Sequence, residues 1–218
     1  MGTTGVMFDW DGVLIDSLGS SFNVYNKIFA KLGLRQLTKD EFLEFQSPNW
    51  YDFYRKIGVP ERFWKQADDD WLKLYDEEKP DLHPDALGCL TALKGRGFSL
   101  ALISNGSKDR ITEELERLKV RPYFDSVEFG TRKEHLKPSP YMLDKTLATL
   151  GINPVEAVYV GDSPADIQAA KNAGVPAIAL ARGPIQAQRL RAEGPDHIFG
   201  GLEEMTGFLT NGAALPSR

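Results

Sequence analysis

From residue 84 onward the chain alternates between helical periodicity and short apolar runs, and this rhythm constrains the fold more than any other feature. Residues 98–103, 127–129, 157–160, 176–180 and 197–199 read as strands, and helical spacing fills 84–94, 108–118, 141–150, 164–173, 184–193 and 201–209. Strands separated by helices pair in parallel, with the crossover helices packed on the sheet faces. Val6, Met7 and Phe8 add a buried strand near the N-terminus. The expected class is therefore α/β, a parallel sheet core flanked by helices.

Between the first strand and this rhythm, residues 17–80 hold no strand-like run. Asp16 and Ser17 offer N-cap chemistry for a helix in which Phe22, Tyr25, Ile28, Phe29 and Leu32 recur at helical spacing until Gly33. Thr38 and Glu41 have capping-box spacing for a helix through Phe45. Further helices are expected over 49–57 and 60–78, the latter with a stripe of Trp64, Ala67, Trp71, Leu74 and Tyr75. The stretch reads as an inserted helical module. Its division is 1–16 and 81–218 for the core, 17–80 for the insertion.

Bulk properties exclude several classes. A net charge of −5 gives no electrostatic case for binding nucleic acid or an anionic membrane surface. The single Cys89 rules out an internal disulfide and suits a reducing compartment. There is no run of 18 apolar residues, and no basic segment leading into a long apolar one at the N-terminus. A cytoplasmic protein, monomer or homodimer, is expected.

Right-handed crossovers align the strand C-termini, where α/β sheets bind ligands. That edge gathers Asp9, Asp11, Ser104, Lys137, Asp162 and Asp166. Two carboxylates one residue apart resist joint ionisation unless a cation lies between them, and a hard ion with oxygen ligands, most simply Mg²⁺, meets that need. Taken singly each group has a plainer account: an Asp-x-Asp-Gly turn, a Ser-Asn-Gly turn, a solvated lysine, a helix cap at Asp166. Taken together they suit phosphoryl transfer. Asp9 would attack phosphorus, while Asp11 protonates the leaving alcohol and then activates water. Mg²⁺ between Asp9 and Asp162, with Lys137, would offset the negative charge. The Ser104 hydroxyl and the N–H groups from Asn105 on would bind phosphoryl oxygens. Asp166 would hold Lys137 or a metal-bound water.

Asp9-Trp10-Asp11-Gly12-Val13, Ser104-Asn105, Lys137-Pro138 and Gly161-Asp162-Ser163 with Asp166 resemble, in order, the four motifs of the haloacid dehalogenase superfamily. Residues 161–174 are especially similar to phosphoglycolate-phosphatase-like members. The resemblance implies a Rossmann-like core with an inserted helical C1 cap, Mg²⁺ dependence, and a small phosphorylated metabolite as substrate. It implies Asp9 as nucleophile and Asp11 as acid/base. The metal would bind Asp9, the Asp11 carbonyl and Asp162, with Ser104, Asn105 and Lys137 on the phosphate. A dehalogenase would not need the second carboxylate. A phosphomutase resembling β-phosphoglucomutase would carry a histidine early in the first cap helix, and Gly19-Ser20-Ser21-Phe22 has none. A non-catalytic phosphate-binding module is a further alternative. Trp10 is expected to narrow the entrance or pack beneath the insertion. His83, His135 and His197 are expected at the surface or in caps. Among Trp50, Tyr51, Phe53 and Tyr54, one or two, with Asn49 or Arg55, would face substrate.

Overall fold

The computed structural model describes residues 3–45 and 50–211. In chain order the elements are β1 (Gly5–Phe8), α1 (Ser17–Lys31), α2 (Lys39–Phe45), α3 (Trp50–Lys56), α4 (Trp64–Glu78), α5 (Ala86–Gly95), β2 (Ser99–Ser104) and α6 (Lys108–Arg117). There follow β3 (Ser126–Phe129), α7 (Tyr141–Leu150), β4 (Ala157–Gly161), α8 (Pro164–Asn172), β5 (Ala177–Leu180), α9 (Pro184–Ala192), β6 (His197–Phe199) and α10 (Leu202–Thr210).

Among the described residues the strands form one parallel sheet in the order β3-β2-β1-β4-β5-β6. Alternate residues go to opposite faces, as the strand period of two requires. Val6, Phe8, Leu100, Leu102, Val158 and Val160 pack one core with Ala86, Leu90 and Leu93 of α5 and Met205 of α10. Met7, Ala101, Ile103, Ala157 and Tyr159 pack the other with Leu143 of α7, Ile167 of α8 and Leu190 of α9. Cys89 lies in the first core, and burial pushes its thiol up to about 11. It is inert packing rather than a nucleophile.

The chain divides into two compact units after Ile15 and after Asp81. The division falls one residue outside each end of the expected insertion, at Asp16, the N-cap of α1, and at Asp81. Its side chain accepts from the Gly19 N–H as N-cap, and its own N–H donates to the Asp81 carbonyl at 3.0 Å. The helical unit packs Val24, Tyr25, Ile28 and Phe29 with Phe42, Phe53, Tyr54 and Tyr75. Thr38 and Glu41 make the expected reciprocal capping bonds at the start of α2. Phe53 and Tyr54 are core, whereas Tyr51 is exposed and stacks on Trp64 at 5.4 Å between ring centroids. Asn49 lies outside the described residues. Among those residues no helix is long and apolar enough to cross a membrane.

Candidate active site

β1 lies between β2 and β4, so the chain turns to opposite sides of the sheet from the strand that ends in Asp9. Such a switch point opens a crevice beyond the strand C-termini. Phe8 is in register with Leu102 and Val160, which sets Asp9 beside the ends of β2 and β4.

Lys137 organises the floor of this crevice. Its ammonium is buried and lies 2.6 Å from Asp9 Oδ1, 2.7 Å from Asp166 Oδ1 and 2.9 Å from the Tyr159 hydroxyl. The Ile103 carbonyl is a fourth acceptor at 3.3 Å, so all three ammonium protons are taken up. Burial alone would lower the Lys137 pKa, but the Asp166 and Asp9 carboxylates outweigh it and hold the group firmly protonated. The lysine is set in place by Asn105, whose amide oxygen accepts from the Lys137 N–H at 2.9 Å and whose amide nitrogen donates to the Lys137 carbonyl at 3.3 Å. The Asn105 side chain is thus committed to the Lys137 backbone, which leaves its main-chain N–H for the expected phosphate contact.

Asp166 fills both of the roles expected of it. Its Oδ2 closes a capping box with Ser163 at the start of α8, while its Oδ1 accepts a hydrogen bond from the Lys137 ammonium. Ser104 is fully buried at the end of β2, and its hydroxyl accepts from the Gly106 N–H at 2.9 Å. This tightens the loop from which Asn105 and Gly106 project.

Asp162 follows the end of β4. Gln186 of α9 donates to its Oδ2 at 3.1 Å and to its carbonyl at 3.2 Å. A Cβ on Gly12 would stand 2.1 Å from the same Oδ2, and Gly12 has φ +77°. No other residue fits there. Ligand oxygens of Asp9, Asp162 and Asp166 all lie within 4.8 Å of one another.

These three acids face one buried ammonium, so the cluster is short of positive charge. Burial, then Asp166, raises the Asp9 carboxyl to about 7 against the pull of Lys137. Burial, followed by Asp166 and Asp9, pushes Asp162 well above the usual carboxylate range. Oxygen donors in this excess fit a hard divalent cation. The Asp11 carboxylate is not part of the cluster: Arg110 of α6 holds it by two bonds, at 3.0 and 2.6 Å.

Of the two places expected for Trp10, the entrance is overturned. Trp10 is fully buried in the sheet core with Phe8, Val13 and Leu14, and its indole N–H donates to Glu114 Oε2 at 2.6 Å. It therefore cannot narrow an entrance. His197 is half-buried against Phe199 and Phe208 rather than at the surface, and His135 stacks on Tyr141. Sequence reasoning missed Tyr159, Arg110, Glu114 and Gln186. The signal for Tyr159 was its hydroxyl in an otherwise aliphatic buried strand, which needs a partner. For Arg110 it was a Glu four residues further on the same helix.

A family model described as haloacid dehalogenase-like hydrolase matches residues 6–180. A phosphoglycolate phosphatase from Aquifex aeolicus is 33% identical over 174 residues, covering 78% of this chain and 80% of that protein. The pyrophosphatase PpaX from Bacillus velezensis is 27% identical over 213 residues, covering 94% of each. Among solved structures, a haloacid dehalogenase-like protein from Agrobacterium tumefaciens superposes with a TM-score of 0.82 at 21% identity, covering 96% of this chain and 99% of that one.

Proposed function

Because the chain belongs to the haloacid dehalogenase-like hydrolase family, we propose that it is a Mg²⁺-dependent phosphatase that hydrolyses a small phosphate monoester through an aspartyl phosphate on Asp9. The observation that carries the reading is the buried Lys137 ammonium shared by Asp9, Asp166 and Tyr159 beside Asp162. A carboxylate held this way points a defined oxygen at the reacting centre and stays close to a fixed cation. Both are needed if one anion is to attack another.

Asp9, Asp162 and the Asp11 carbonyl would hold Mg²⁺, which when bound supplies charge neutralisation at the phosphoryl oxygens. Lys137 adds a fixed positive charge. The Asn105 N–H and the Ser104 hydroxyl, whose oxygen holds the Gly106 N–H, would donate to the phosphoryl group. Asp9 attacks phosphorus as the ester oxygen takes a proton from Asp11. Asp11 then removes a proton from the water that splits the aspartyl phosphate, which frees Asp9. The relatives' names point to phosphoglycolate, a sugar phosphate or pyrophosphate as substrates to try first. The single cysteine suits a cytoplasmic location.

Phosphate release from a panel of phosphorylated metabolites, with and without Mg²⁺, tests the reading. Asp9→Asn is expected to lose at least about 10³-fold in kcat, since removing a nucleophile leaves only the binding and electrostatic contributions. Turnover that survives the substitution overturns the assignment. A phosphorylated isomer in place of free phosphate would identify a mutase instead.

A further inference from the structure

Asp11 is held by a chain of contacts that runs from the partly buried Arg110 to the buried Glu114 and Trp10. Both terminal guanidinium nitrogens of Arg110 reach it, Nη1 at 3.0 Å to Oδ1 and Nη2 at 2.6 Å to Oδ2. Arg110 Nη1 also lies 3.2 Å from each oxygen of Glu114, one helical turn further along α6. Glu114 is buried and takes the Trp10 indole N–H at 2.6 Å. Trp10 precedes Asp11 in the chain, so the contacts close a loop that returns to the residue they hold. Gly106 leaves room for this arrangement, since a Cβ there would stand 2.4 Å from Arg110 Nη2 and 3.1 Å from Ser104 Oγ.

We infer that Arg110 is the positioning residue for Asp11, fixing the plane of its carboxylate through the Trp10–Glu114–Arg110 chain. The inference rests on the acid/base reading of Asp11 given above. A bidentate fork constrains orientation as well as distance. A carboxylate has about four lone-pair sites, and the fork engages two of them. Asp11 lies just past β1, ahead of the turn at residues 12–14, and its side chain is about one-third exposed, so burial alone does not fix its rotamer. Misplacement on this scale costs proton transfer far more than it costs phosphate binding.

The test compares p-nitrophenyl phosphate, whose leaving group departs without help, with phenyl phosphate, whose more basic leaving group needs a proton. For Arg110→Gln, kcat/KM should fall about 100-fold with phenyl phosphate and less than about 10-fold with p-nitrophenyl phosphate, within the range general acid catalysis supplies. Inhibition by inorganic phosphate should be unchanged. Glu114→Gln should show a smaller split of the same sign, and Arg110→Lys, which keeps the charge without the fork, should recover part of the loss. Equal losses on both esters, with weaker inhibition by inorganic phosphate, would make Arg110 a phosphate ligand and overturn the inference. Unchanged kinetics would overturn it too. Asp11→Asn is run alongside. If it shows no split, the acid role of Asp11 fails and the inference with it; if it shows one that Arg110→Gln lacks, the inference fails alone.

Discussion

Asp9 sits between charges of opposite sign, and the balance sets a pH dependence of folding. Its carboxyl is raised from 3.8 to about 7. Between those values the folded chain keeps a proton that the unfolded chain has lost. Stability therefore falls as pH rises through this window, and Asp162 acts in the same direction. A bound divalent cation replaces that proton. In chelator, the Tm should drop between pH 5 and pH 8, and the Tm gain from added Mg²⁺ should be larger at pH 8. Calorimetric melts at the two pH values check this, and an equal gain at both would show that the acids do not share the ion. The groups on strand ends were legible in the sequence because each follows an apolar run and a turn. Their partners were not. Arg110 and Asp11 are 99 positions apart, Gln186 and Asp162 are 24 apart, and each pair meets only once the helices are laid on the sheet. Which way Trp10 points was equally hidden, since the alternation of faces lapses where a strand ends.

At the scale of elements, α8 links the fold to the chemistry. Ser163 caps the helix through its hydroxyl, and Asp166 returns the bond while its other oxygen holds Lys137. Ser163→Ala should cost about 1 kcal/mol for the lost cap. It should also lower kcat more than that figure suggests, because Asp166 loses one of the contacts that orient it. Denaturant melts and steady-state kinetics on the same sample separate the two effects. A stability loss with unchanged kcat would mean that the cap alone is at stake. The helices and strands around this point were readable from period and punctuation. The strands at 98–103 and 157–160 were expected within one residue of where β2 and β4 lie. Sharp stops at Ser-Asn-Gly and Gly-Asp-Ser made those ends plain.

At the scale of the whole molecule, the helical unit leaves and rejoins the core at one place. Ile15 bridges to Leu82 in antiparallel fashion, and the Asp16 N–H donates to the Asp81 carbonyl. Replacing residues 16–81 with a short Gly/Ser linker should thus leave a core that melts cooperatively and keeps its parallel sheet, as circular dichroism would show. Loss of the cooperative transition would mean that the sheet depends on the insertion. In the sequence the insertion reads as a strand-free stretch rich in tryptophan over 17–80, and the compact helical unit spans Asp16–Asp81, its first residue being the N-cap of α1.

The narrow neck between Ile15 and Leu82 has a consequence for descent. A segment whose two ends already touch can lengthen, shorten or be exchanged for another without any strand changing its neighbour. One block of sequence is then open to exchange while the aspartates and their lysine stay where they are.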